Sequence, residues 1–157
     1  MNKKSRSSKS RLRLSTGAVM TLRRGALAAD RLVYLLAANK AVRYKNGRSK
    51  IVYIGTTKRG VRRVAGSVAY RAETLFQRPG FKEVDAHILT YRGKPGVRNM
   101  WSKLERAVLI MFKRQYGDIP TLNTQGGNLW PRDEFRYFSQ GFLLKRLRSF
   151  EPGGGAP

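Results

Sequence analysis

The spacing of apolar residues changes period several times along the chain, and each change predicts an element. Residues 32–38 and 51–55 are apolar and rich in Val, Ile, Tyr and Leu, the composition of strands. Between them Tyr44-Lys45-Asn46-Gly47-Arg48 carries an Asn-Gly pair. That pair is a strong signal for a tight turn, so the two strands are expected to form an antiparallel hairpin. Val61, Val64, Val68 and Leu75 recur at helical spacing and Pro79-Gly80 closes the segment, which predicts an amphipathic helix over 60–77. Val84, Ala86 and Ile88 alternate with Asp85, His87 and Leu89. This period of two predicts a third strand ending before Gly93, with His87 on its polar side and no role assigned to it. Leu104, Val108, Met111 and Phe112 mark a second helix over 100–116, stopped by Gly117 and Pro120 and presenting Glu105 near its start. After an irregular loop over 123–131, Asp133 is placed to cap a third helix reaching Phe150, with Phe138, Phe142, Leu143, Leu147 and Phe150 as its apolar positions. Strand, strand, helix, strand, helix, helix is the order of an α+β fold in which a small three-stranded antiparallel sheet is flanked by helices.

The 157 residues suffice for one domain. Up to Arg24 there are eight basic residues and no acid, the first carboxylate being Asp30. This divides the chain into a flexible basic arm over 1–30, a single domain over 31–151 that includes the C-terminal helix, and a disordered tail over 152–157, Pro152-Gly153-Gly154-Gly155-Ala156-Pro157. Thirty-three Lys and Arg against nine Asp and Glu give a net charge of +24. So large an excess opposes compaction unless a polyanion screens it, and it points to nucleic acid before an anionic membrane. DNA is the first partner expected, with RNA open beside it. No apolar run approaches the roughly 20 residues of a membrane span, and no signal-type segment follows the basic start. The expectation is a soluble cytoplasmic protein with no membrane partner, monomeric or homodimeric. With no cysteine and one histidine, disulfides, thiolate metal sites and cysteine nucleophiles are excluded, and zinc sites and Ser-His triads are disfavoured.

Candidate chemistry gathers in three pieces: a strand with Val33-Tyr34-Leu35, a strand end with Tyr53-Ile54-Gly55 followed by Arg63, and a helix with Glu105, beyond which lies Asn123. Singly, each has an ordinary structural reading. Strands favour tyrosine, a helix start favours glutamate, asparagine suits a turn, and one arginine among so many is unremarkable. In this order they resemble the GIY-YIG nuclease superfamily over 32–123. Leu32-Val33-Tyr34 stands where Gly-Ile-Tyr is usual, while Val52-Tyr53-Ile54-Gly55-Thr56-Thr57 keeps the second motif intact. Arg63 falls ten residues after the motif tyrosine, and Pro120-Thr121-Leu122-Asn123 is similar to the family's Pro-x-Tyr-Asn ending.

The resemblance implies a metal-dependent endonuclease that hydrolyses DNA phosphodiester bonds and leaves 5′-phosphate and 3′-hydroxyl ends. Its catalytic residues would be Tyr34, Tyr53, Arg63, Glu105 and Asn123. Glu105 alone would hold one divalent ion, Mg²⁺ or Mn²⁺, an ion type that keeps several waters and needs few protein ligands. Tyr53, with an ordinary pKa near 10, would serve as base if cations favour its phenolate or if it passes its proton onward. Tyr34 would hydrogen-bond Tyr53 or the water. Arg63 would clamp the phosphate through its planar fork, and Asn123 would orient Glu105 or close the pocket. Arg59, Arg62 and Arg63 would contribute that cationic field, Lys58 would stand in for the lysine some relatives carry, and Lys58, Arg59 and Arg62 would bind the nucleic acid. Departures from the family pattern are Ser67 where a histidine or tyrosine is common, Thr56 where some relatives have lysine, and a long interval from Glu105 to Asn123. The general base is left open by the first of these. The long interval from Tyr34 to Tyr53 implies an extended hairpin tip, whose Lys45, Arg48 and Lys50 would track a phosphate backbone. Trp101 reads as a packing residue; Trp130 reads as packing or as a base-stacking residue. The alternative function is a non-catalytic basic protein that binds RNA or associates with the ribosome. Target specificity is not legible in the sequence.

Overall fold

The computed structural model describes residues 31–91, 99–124 and 129–154. The predicted arm and the last residues of the predicted tail lie outside them. Two long strands, β1 (Leu32–Tyr44) and β2 (Gly47–Thr57), are followed by α1 (Gly60–Phe76), β3 (Val84–Leu89), α2 (Met100–Tyr116), a short 3₁₀ turn (Glu134–Arg136) and α3 (Gln140–Arg148). The sheet order is β2-β1-β3, antiparallel throughout. The expected α+β fold, a three-stranded antiparallel sheet flanked by helices, is therefore the one that forms.

β1 lies at the centre of the sheet and is covered on both faces. Val33, Leu35 and Ala37 face a cluster with Leu104, Val108 and Phe112 of α2 and Leu143 and Leu147 of α3. Leu32, Tyr34, Leu36 and Ala38 face a second cluster with Val64 and Leu75 of α1. A strand buried on both faces reads as a continuous apolar run, and that is why 32–38 shows no alternation. The strands run further than the apolar segments because the hairpin ladder continues through polar residues to Tyr44↔Gly47. Lys45 and Asn46 form the turn, and the Asn46 N–H donates to the Tyr116 carbonyl at 2.9 Å. At this end Tyr44 packs edge-on to Phe112 at 5.1 Å, and Tyr116 lies 4.6 Å from Phe112, which pins the end of α2 to the hairpin. A bulge interrupts the ladder where Leu36 pairs with Tyr53 but Ala37 pairs with Ile51. Val52, the extra residue, joins Tyr53 on the α1 side.

Two expectations are corrected. His87 is not on a polar face: its ring packs edge-on against Phe150 at 4.8 Å, and burial lowers its pKa. The period-two reading fails here because helices cover both faces of the sheet. The single helix expected from Asp133 is broken into a 3₁₀ turn and α3, whose N-cap is Ser139, with its hydroxyl oxygen accepting from the Phe142 N–H at 3.3 Å. Asp133 instead pairs with Lys103 of α2. Glu134 is 2% exposed. One of its carboxylate oxygens accepts from Arg106 Nε at 2.8 Å and the other from the Arg132 N–H at 2.7 Å. These bonds to α2 fix the turn in place and override the helical periodicity.

Burial alone would raise the Glu134 carboxyl, but the bonds from Arg106 and the backbone outweigh it and hold it below the ordinary value of 4.5. Its contribution to stability is thus present above about pH 4.5 and is lost as pH falls through the depressed folded-state value. Glu134→Gln is expected to cost on the order of 2 kcal/mol at pH 7, since hydrogen bonds to a charged group are lost. In urea titrations at pH 7 and pH 3 the deficit should shrink at the lower pH; a deficit indifferent to pH would contradict an ionic role.

Candidate functional site

Tyr34 points from β1 toward α1. Its buried hydroxyl donates to Ser67 Oγ at 2.7 Å. Gly55 of β2 lies directly opposite Tyr34, and Tyr53, two residues earlier, leans over it. A Cβ at position 55 would sit 2.5 Å from Tyr53 Cε1 and 2.7 Å from its hydroxyl oxygen. The motif glycine is therefore required for space. It lets the Tyr53 ring come within 5.8 Å of the Tyr34 ring, centroid to centroid.

Above the two rings lies α1, and from it Arg71 reaches down. Its Cζ stands 3.5 Å from the centroid of the Tyr53 ring, and its Nη1 donates to Ser67 Oγ at 2.6 Å. Arg71 Nε is buried with no hydrogen-bond partner. Ser67 thus accepts from both Tyr34 and Arg71, and its small side chain leaves the guanidinium room over the tyrosine. Sequence reasoning missed Arg71. The signal was available: Val64, Val68 and Leu75 define the sheet-facing stripe of α1, and position 71 falls on that stripe with a charge where an apolar residue is expected.

Arg63 begins the same row, one turn before Ser67 and two before Arg71, since residues four apart stack on a helix face. It is exposed, and among the described residues no hydrogen bond engages it. Arg59 and Arg62 are exposed at the start of α1, where no acidic residue occupies the first turn. The positive end of the helix dipole and these cations share one sign. Lys58 Nζ lies 5.6 Å and Arg31 Cζ 4.6 Å from the ring of Trp101, so the Trp101 ring carries two cations.

Trp101 stands one turn before Glu105 on α2. Glu105 is half-buried, and among the described residues it makes neither a hydrogen bond nor an ion pair. Burial pushes its carboxyl from 4.5 up to about 7. It is near enough to Tyr53 for its charge to act on the phenol. Tyr53 is pushed up to about 12, first by burial and then by Tyr34, against the lowering effect of Arg71. Asn123 does not bond to Glu105. Its Oδ1 accepts from the Ile54 N–H at 2.9 Å and its Nδ2 donates to the Ile54 carbonyl at 2.8 Å, which clasps the outer edge of β2 beside Tyr53.

Tyr34, Tyr53, Ser67 and Arg71 are thus brought together on the α1 face, with Arg63 along the same helix row and Asn123 at the outer edge of β2; Glu105, on α2 across the sheet, acts on Tyr53 through its charge alone. Lys45, Arg48 and Lys50 are not part of this group. They lie toward the hairpin end: counted along β2 from Gly55, the partner of Tyr34, Lys50 is five residues and hence roughly 16 Å away and Arg48 seven residues and roughly 23 Å, with Lys45 in the turn beyond. Among the described residues no three acidic or histidine side chains form a metal cluster. Glu105 as a lone carboxylate ligand would suit an ion of the Mg²⁺ type, which retains most of its water and needs few protein ligands.

A carboxyl raised by burial favours folding while protonated, and that advantage is lost as pH climbs from about 4.5 through about 7. Glu105→Gln should therefore match the wild type in thermal melts near pH 4 and exceed it at pH 8, a gain an ion-paired glutamate would not give. Compared with protein-family models, with curated proteins and with solved structures, the chain finds no significant match.

Proposed function

We propose that the chain is a metal-dependent endonuclease of the GIY-YIG type, hydrolysing DNA phosphodiester bonds to leave 5′-phosphate and 3′-hydroxyl ends. One observation carries this reading. A half-buried carboxylate, unpartnered among the described residues and with its pKa pushed up to about 7, acts by its charge on Tyr53, which pairs with Tyr34 under Arg71, in a chain of net charge +24. Binding a polyanion requires no such carboxylate, whereas cutting one requires a place for charge and protons to move.

Each residue has a task its position permits. Tyr34 donates its proton to Ser67, so its oxygen remains free to accept from Tyr53 or from a water. Tyr53 is the candidate base, and the Arg71 cation against its ring favours the phenolate that the task needs. Arg63, exposed along the same row, offers a bidentate fork to the scissile phosphate. Glu105 would hold Mg²⁺ or Mn²⁺, which when bound supplies positive charge at the leaving oxygen. Asn123 is a positioning residue: by clasping Ile54 it fixes the strand that carries Tyr53.

A second reading, a non-catalytic protein that binds RNA or DNA, is favoured by the Tyr53 pKa of about 12, at which phenolate is scarce at neutral pH. Supercoiled plasmid and an RNA, incubated with Mg²⁺, Mn²⁺ or EDTA, separate the two. The nuclease reading expects metal-dependent nicking, abolished by Glu105→Ala and reduced at least ~100-fold by Tyr53→Phe, while binding persists in both variants. Salt-sensitive binding with no turnover of either nucleic acid would favour the second reading. Arg71→Ala is expected to slow cleavage and move its optimum to higher pH, with Arg71→Lys restoring part of both; an unchanged pH–rate profile would remove Arg71 from the mechanism.

A further inference from the structure

A second concentration of chemistry lies across α2 from Glu105, where β3 ends and the segment before α3 crosses the helix. Large aromatic side chains stand in solvent there. Phe142 is 55% and Tyr137 39% exposed, and Trp130 on the same segment is 76% exposed. Between Tyr137 and Phe142 opens a cavity of about 250 Å³, its apolar lining drawn from Leu89, Leu104 and Leu143. Lys103 Nζ lies 5.2 Å from the Tyr137 ring and Arg146 Cζ 5.2 Å from that of Phe142. Thr90 and Ser139 bring hydroxyls to the rim. Among the described residues β3 pairs only with β1, so its outer edge lends further backbone groups.

We propose that this cavity takes one unpaired base of a nucleic-acid strand, stacked against Tyr137 and Phe142 with Arg146 toward the neighbouring phosphate. Charge selects the occupant. Over 129–154 there are five cations, Arg132, Arg136, Lys145, Arg146 and Arg148. The three carboxylates, Asp133, Glu134 and Glu151, already accept bonds from Lys103, from Arg106 and from Tyr116. A protein partner would have to bury Lys103 where it lies on the Tyr137 ring, and interfaces are depleted of lysine. A polyphosphate strand keeps the cations engaged and gives the rings something to stack on. The volume is below the ~300 Å³ at which pockets for larger ligands begin, and an intact duplex offers no free base face. Leu104 of the cavity adjoins Glu105 in sequence, so both sites draw on the first turns of α2.

This inference rests on the nucleic-acid part of the reading above and narrows its substrate to strands with an unpaired nucleotide close to the cut. Fluorescence anisotropy in EDTA, with a labelled 12-nucleotide single strand and the matching duplex at two salt concentrations, tests binding without cleavage. Tyr137→Ala combined with Phe142→Ala is expected to weaken single-strand binding about tenfold or more, leaving duplex affinity and the salt slope unchanged, while Phe142→Tyr behaves as wild type. Equal losses on both substrates, or no loss on either, would overturn the proposal. So would a dimer in sedimentation that the double variant dissolves without change in strand affinity, since the rings would then serve a second copy of the chain. A chain that binds single strands through these rings and never cuts refutes the nuclease alone. One that cuts while ignoring the rings refutes this cavity alone.

Discussion

Burial of the central strand on both faces governs the rest of the molecule. From Leu32 to Ala38 every residue of β1 is buried, so helices must cover the sheet above and below, and any polar group on this strand must find its partner inside. Tyr34 is the test case. An unbonded phenol at that depth would cost roughly 1–3 kcal/mol, and Ser67 removes the cost. Because Ser67 is fixed by that bond, the residue one turn later on α1 is fixed as well, and Arg71 is delivered to the face of Tyr53. The geometry of the candidate site is thus a consequence of core packing, reached by one hydrogen bond and one helical turn.

The nine acids matter more individually than the thirty-three bases. Asp133 and Glu134 hold the C-terminal segment to α2 through Lys103 and Arg106, and Glu151 receives the Tyr116 hydroxyl at 3.1 Å. Glu105 differs from these in having no such partner among the described residues. Glu73, Glu83, Asp85 and Asp118 also lack an arginine or lysine partner among the described residues, but they are exposed; Glu105 is set apart by being half-buried, so its protonation is governed by burial instead of by pairing.

Much of the fold was legible in the sequence because its signals are local. The Asn-Gly pair, the helical stripes and the Pro-Gly stop each act within a few residues of themselves. What was not legible depends on partners distant in sequence. His87 was misread because alternation marks a polar face only when one side of a sheet meets water, and Phe150, which covers it, comes sixty-three residues later. The third helix was misread because Arg106 claims Glu134. At the candidate site, motif order pointed to Tyr34, Tyr53 and Glu105, and to an Asn123 that orients Glu105 or closes the pocket; the bonds its amide makes are to Ile54, a partner sixty-nine residues away that no local signal reveals. Arg71 belongs to no motif. A charge on an apolar stripe was its only mark, and the tyrosine that receives it comes from another element.

The clasp on Ile54 has a consequence for the edge of the sheet. An open edge strand invites another chain to add to it. Along β2 the outward backbone groups are occupied in turn: the Lys50 N–H donates to the Phe150 carbonyl, the Val52 carbonyl accepts from the Leu122 N–H, and both groups of Ile54 meet the Asn123 amide. Two separate pieces of chain, Phe150 and the consecutive Leu122 and Asn123, the latter through its side-chain amide, act together as a discontinuous fourth strand. Growth of the sheet is thereby blocked on the β2 side, and among the described residues the short β3 is the border at which a strand could be added.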